Sequence, residues 1–194
     1  MVEVIMKLWY NKNRKKEDAM MGNTVIQTLC ERRSVRSFQH KQIEEAILSE
    51  ILKAGTYAPT GRNRQSPVMV VVQDAKTREI LREMNARIMG REGSDPFYGA
   101  PTIVVVLADR TVPTHLEDGS LVMGNLMNAA YALGVDSCWI HRAREEFESD
   151  EGKALLDSWG IKGDYVGIGH CALGYGDCET PKASPRKENY IVRI

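Results

Sequence analysis

Four short runs constrain this chain more than anything else in it: "PVMVVVQ" at residues 67–73, "TIVVVLA" at 102–108, "VDSCWI" at 135–140 and "YVGIGHCALGY" at 165–175. Each is largely apolar, and the first two are mostly β-branched and bounded by turn formers, which predicts strands. A strand with one wet face alternates apolar and polar residues. These runs do not alternate, so the sheet they build should be covered on both faces.

The covers should come from the segments between. Asn23 can cap a helix through about Arg32, with Val25, Ile26 and Leu29 on one face. A second helix fits residues 43–57, with Ile43, Ile47, Ile51 and Ala54 in one stripe and Pro59 just beyond its end. Asp74 caps a third to about Met89. A fourth spans about 116–133 and stops at Gly134, and a polar one spans 145–159 and stops at Gly160. Residues 176–194 carry two prolines and many charges and read as an extended arm. Two fold classes compete: a doubly wound α/β sheet, and an α+β fold with a mixed sheet. A doubly wound nucleotide binder usually has its glycine-rich loop after the first strand. Here that strand is followed by "DAKTRE", without glycine, which lowers the first class.

The chain has 194 residues, enough for one domain, with 26 basic and 26 acidic residues. That balance argues against a general nucleic-acid binder but allows a local anion site. Cys30, Cys138, Cys171 and Cys178 lack metal-site or redox spacing and read as reduced thiols of a cytoplasmic protein. No apolar run approaches the length of a membrane span. Residues 1–22 do not resemble a secretory signal, because Glu3 and Lys7 break the apolar part. They are expected to be a leader outside the fold, or a start-site artefact with the natural start at Met20 or Met21.

Four features could carry chemistry. "ERRSVRSF" concentrates Arg32, Arg33, Ser34 and Arg36, whose guanidinium forks and hydroxyl suit phosphate oxygens. The ordinary alternative is arginines at a helix C-terminus, attracted by its dipole. "APTGRNRQSP" is a turn-rich loop in which Thr60, Asn63 and Gln65 both donate and accept, as the edge of a flavin or a base requires. A plain polar connection has the same composition. "SCWIHR" sets Trp139 and His141 at a strand end, where core tryptophan and surface histidine are the plain reading. "ALGYG" offers Gly174 for close backbone approach, and Arg186 follows in the arm.

Taken together and in order, these segments resemble the nitroreductase family of FMN-dependent oxidoreductases. "DPFYGAPTIVVVLAD" and "AAYALGVDSCWI" are similar to that family as well, and the likeness runs from about Asn23 to Arg186. The resemblance implies a single domain over residues 23–194, an α+β fold built as a three-layer α/β/α sandwich with a mixed central sheet. It implies an intertwined homodimer holding FMN between the subunits. By the same resemblance Arg32, Arg33, Ser34 and Arg36 hold the phosphate and pyrimidine side. Pro59, Thr60, Gly61, Asn63 and Gln65 form a loop that serves the partner's flavin. Trp139, Ile140 and His141 flank the ring with a backbone N–H near N5, and Gly174 and Arg186 close the phosphate side. No side chain acts as the catalyst, and no metal is implied. The flavin takes hydride from NAD(P)H and passes the electrons on in a ping-pong cycle, to a nitroaromatic, quinone or related acceptor.

The chain departs from the family pattern in places. No aromatic residue follows Gln65, the segment 86–98 is too short for the longer mid-chain lid, and the leader is extra. Arg62 and Arg64 make the loop unusually basic; this reads first as a solvated face, the alternative being attraction for an acidic substrate or the phosphates of NADPH. A flavin-binding sensor or storage protein, or a specialised family member with another flavin reaction, would share these motifs.

Overall fold

A computed structural model describes residues 23–194; the expected leader lies outside the described residues. The chain divides into a short N-terminal unit ending at Arg32 and a main unit, Arg33–Ile194. In the first, helix α1 (Thr24–Glu31) starts where expected. The Asn23 side chain accepts from the Val25 and Ile26 N–H groups at 3.0 and 3.3 Å. No residue of α1 is buried, and Val25, Ile26 and Leu29 are each more than half exposed.

In the main unit, strands β1 (Pro67–Val72), β2 (Thr102–Asp109), β3 (Asp136–Ile140) and β4 (Tyr165–Gly174) form one sheet in the order β1-β2-β4-β3. All three pairings are antiparallel. This corrects the expected mixed sheet. An unbroken apolar run reports cover on both faces, and here helices cover both faces of an antiparallel sheet, which more commonly leaves one face wet. The one parallel pairing among the described residues is an isolated bridge from Ser34 to Ser137.

The covers are α2 (Glu45–Thr56), α3 (Ala75–Ile88), α4 (His115–Ala132), α5 (Ala143–Glu148) and α6 (Asp150–Ser158). Strand β2 runs through the centre, and its successive side chains point to opposite faces. Val104, Val106 and Ala108 join one cluster with Ile51 of α2 and Met123 and Leu126 of α4. Ile103, Val105 and Leu107 join the other with Leu81 of α3 and Phe147 of α5. All six β2 residues are fully buried. Each large aliphatic side chain so placed contributes about 1.5–3 kcal/mol, which makes this sheet the main source of stability.

The helix starts follow local chemistry. Asp74 accepts from the Thr77 N–H at 2.8 Å and begins α3 as expected. The single polar helix expected over 145–159 is two helices, α5 and α6. Ser149 between them is extended, at ψ 159°, and its hydroxyl oxygen accepts from the Gly152 N–H at 3.0 Å. Serine favours that capping role over the interior of a helix.

Candidate functional site

The "RSVRSF" segment lies extended across the start of β3 and the end of β4. The Val35 N–H donates to the Ser137 carbonyl at 3.1 Å, the Gln39 N–H to the Tyr175 carbonyl at 2.9 Å, and the Asp177 N–H to the Ser37 carbonyl at 2.9 Å. Val35 and Phe38 are buried, which turns Ser34 and Arg36 away from the core; Arg36 is exposed and Ser34 half-buried. Gly174 is at the same corner. A Cβ there would lie 2.8 Å from Pro101 Cδ and 3.1 Å from Phe38 Cδ1, so its smallness lets these side chains pack. Arg33 begins the main unit, and Arg32 caps the end of α1 in the N-terminal unit, its N–H donating to the Thr28 carbonyl at 3.0 Å.

The loop before β1 is under backbone strain. Arg62, Asn63 and Gln65 hold φ of 54°, 54° and 51°. The left-handed region costs an L-residue about 1–2 kcal/mol, least for asparagine. The restraint comes from Asp118 on α4, only 2% exposed. Its Oδ1 accepts from the Gly61 N–H at 2.9 Å, and its Oδ2 from the Ser66 and Thr114 hydroxyls, both at 3.1 Å. One carboxylate thus ties down both ends of the loop. Within the loop the Gln65 N–H donates to Thr60 Oγ1 at 3.0 Å and Gln65 Nε2 to Asn63 Oδ1 at 3.3 Å. Gly61 is required where it stands, because a Cβ would lie 2.3 Å from Thr114 Oγ1. Pro59, Arg62, Asn63, Arg64 and Gln65 are left facing solvent.

A cavity lies on each side of this loop. One, of about 130 Å³, is lined mainly by Gly55, Ala58, Met69 and Val122, with Thr60 and Gln65 at its polar part. The other, of about 260 Å³, is lined by Gly61, Arg62, Arg64, Val112, Pro113 and Thr114. At the end of β2 Asp109 accepts from the Thr111 hydroxyl and N–H at 2.7 and 2.9 Å, and those bonds hold its carboxyl below the usual aspartate value.

At the end of β3 the side chains are already occupied. Trp139 packs on the α2–α4 cluster and Ile140 is buried in the other. His141 is exposed, and its carbonyl accepts from Asn85 Nδ2 at 2.9 Å. Asn85 also donates to Glu146 and accepts from Arg142 Nε at 2.9 Å; Glu146 Oε2 lies 3.0 Å from His170 Nε2. Asn85, Glu146 and His170 are fully buried. What this strand end can offer a ligand is therefore backbone, held in shape by a buried polar chain. Arg186 is exposed, and its guanidinium donates to the Ser184 carbonyl of its own arm at 3.2 and 2.6 Å.

The candidates of the main unit occupy separate places. The Ser34–Arg36 corner adjoins β3, one edge of the sheet, and the Thr60–Gln65 loop leads into β1, the other. Three strand spacings, about 14 Å, separate those edges. The two places are also at opposite ends: the loop joins the sheet where Pro67 pairs Ala108, and the corner where Asp136 pairs Gly174. Asp118 and the buried Asn85–Glu146–His170 chain were not foreseen from sequence. The signal was present, since Asp118, Val122, Leu126 and Ala130 form one buried stripe four residues apart, and a carboxylate in such a stripe needs donors.

Comparison with known proteins agrees with this architecture. The sequence model described as "Nitroreductase family" matches residues 29–175. A protein of Archaeoglobus fulgidus, provisionally named NADH dehydrogenase/NAD(P)H nitroreductase, is 30% identical over 156 residues, 77% of this chain and 84% of that protein. The crystal structure of a Bacteroides fragilis nitroreductase with bound FMN superposes with a TM-score of 0.82 at 30% identity, covering 89% of this chain and 99% of the other. An FMN-dependent nitroreductase of Clostridium difficile superposes with a TM-score of 0.79 at 26% identity, covering 89% and 99%. With the family pattern spanning most of the chain and the fold shared nearly end to end, this protein belongs to the nitroreductase family.

Proposed function

We propose that the chain is an FMN-dependent oxidoreductase that takes hydride from NAD(P)H and delivers the electrons to a nitroaromatic, quinone or related acceptor. It works as an intertwined homodimer of α/β/α sandwiches. The observation that carries this reading is the separation of two chemically matched half-sites on opposite corners of one sheet. The corner with Ser34 and Arg36 supplies cation and hydroxyl; the loop with Thr60, Asn63 and Gln65 supplies paired donors and acceptors. A second copy brings one copy's loop to the other's corner. The exposed apolar face of α1, and Tyr190, Ile191 and Val192 in the arm, are surfaces such a copy would cover.

The donor set fits the cofactor. Flavin presents a ring edge of alternating N–H and carbonyl groups and a phosphate. Asn63 and Gln65 carry both donor and acceptor atoms, held in place by the strained loop. Arg32, Arg33, Ser34 and Arg36 would hold the phosphate and pyrimidine side, with Gly174 and Arg186 closing it. Pro59, Thr60, Gly61, Asn63 and Gln65 would come from the partner copy. Trp139, Ile140 and His141 would flank the ring, the contribution of this strand being its backbone. When bound, FMN supplies the hydride and electron chemistry, alternating between the two substrates. The chain positions the cofactor, stabilises negative charge through Arg36 and keeps the loop rigid.

The test is an absorption spectrum of the purified protein, repeated anaerobically after adding NADH and then NADPH. Flavin bands that bleach are expected; flavin that stays oxidised with both donors removes the oxidoreductase reading. Shared sites have their own test: mixed dimers of Arg36→Ala and Asn63→Ala protomers should recover part of the flavin binding that each variant loses alone. A confirmed mixed dimer without recovery refutes sharing.

A further inference from the structure

We infer that the 260 Å³ cavity beside the loop is an oxyanion subsite selecting carboxylate- or phosphate-bearing substrates, an inference that rests on the flavin reading above. The two sides of the loop differ in chemistry. The smaller cavity has only apolar groups, hydroxyls and an amide, which suits a neutral ring. The larger has two guanidinium groups, the Thr114 hydroxyl and apolar walls, with no carboxylate in its lining.

The arginines are uncommitted. Arg82, Arg87 and Arg110 each pair with an acidic side chain, whereas neither Arg62 nor Arg64 makes an ion pair or side-chain hydrogen bond among the described residues. The nearby Asp118 does not supply the missing partner, because its oxygens are taken by Gly61, Ser66 and Thr114. Backbone geometry points the same way. Arg62 stands at φ 54° and ψ 27°, where glycine or asparagine would stand with less strain. A merely solvated loop gains nothing from arginine there. A loop that must hold a guanidinium fork toward an incoming oxyanion gains position and charge. Both arginines are exposed, as the solvated-face reading expects; the inference adds an oxyanion for them to meet.

The oxyanion has two possible sources: a carboxylate on the electron acceptor or the 2′-phosphate of NADPH. The experiment separates them by calorimetric titration of the purified protein, with and without added FMN. It uses NADP⁺ against NAD⁺ and benzoate against benzamide, in wild type, Arg62→Gln and Arg64→Gln. Wild type should bind the anionic member of at least one pair about tenfold more tightly or better, with the preference shrinking as salt rises. Both variants should bring that ratio toward one, and the KM ratio for NADPH against NADH, or for 4-nitrobenzoate against nitrobenzene, should follow. Preference for NADP⁺ alone assigns the donor phosphate; preference for benzoate alone assigns the acceptor carboxylate. Equal affinities within both pairs in wild type overturn the subsite. So does a ratio that survives both substitutions, including the case where they alter only the oligomeric state and the arginines face the partner copy. A protein that separates the pairs yet takes up no flavin keeps the subsite and removes the flavin reading.

Discussion

Replacing Asp118 with alanine is the sharpest perturbation of the loop. The substitution removes the acceptor for three donors: the Gly61 N–H and the Ser66 and Thr114 hydroxyls. Ser66 is buried and would be left unpaired, which costs about 1–3 kcal/mol; Gly61 is half-buried, so water recovers part of its bond. The expected loss is at most about 2–4 kcal/mol, since any strain the released loop sheds offsets part of it. For a chain of this size that lowers Tm by up to about 5–15 °C. A second effect acts on the ligand. Arg62, Asn63 and Gln65 relax out of the left-handed region once the loop is released, and binding must force them back at about 2–4 kcal/mol in total. FMN affinity should then fall about 30- to 1,000-fold. Thermal melting of the apoprotein and flavin-fluorescence titration read the two effects separately. Asp118→Asn, which still accepts through its carbonyl, should lie between. An alanine variant that melts within 1–2 °C of wild type and keeps its FMN affinity would refute the anchor.

Gly61→Ala should cost about 1–3 kcal/mol by overpacking against Thr114, and Thr114→Ala in the same chain should restore most of it; additive losses in urea titrations would place the clash elsewhere. Glu146→Ala leaves buried Asn85 and His170 facing a void, and should lower unfolding free energy by about 3–5 kcal/mol, against less than 1 for the exposed Glu145→Ala. Bonds from the Thr77 N–H and hydroxyl hold the Asp74 carboxyl below its ordinary value of 3.8. Its capping contribution should therefore be complete above about pH 4 and fade as pH falls through the lowered folded value; the Tm difference between wild type and Asp74→Ala, followed from pH 6 to 2, should narrow only in that acid window.

Much of the scaffold was legible because its signals are local. The runs at Pro67 and Thr102 became β1 and β2 almost to the residue, and Asn23 and Asp74 cap the helices expected of them. Strand direction was not legible, since cover on both faces makes the same apolar run in either arrangement. Nor was the break at Ser149, where a capping hydroxyl competes with an otherwise continuous helical pattern. For the site, the segments carrying Ser34 and Thr60 could be picked out by composition. Their placement could not, because it depends on β1 and β3 being the two edges of the sheet. Asp118 escaped notice for a related reason: in the sequence it is one acid among many, and only the packing of α4 makes it the anchor of a loop 57 residues away.

On the proposed pairing of copies, the distance between the two corners would also tie cofactor loading to protein concentration. If each flavin needs the corner of one copy and the loop of another, a lone chain holds it with half its contacts. Dilution below the dimer dissociation constant should then release the cofactor, and added FMN should pull chains together by mass action. In a mixed population where half the chains have a damaged loop and pairing is random, half the sites stay intact. On that pairing each site would draw on a single loop, so function should fall in proportion to the dose of damaged chains.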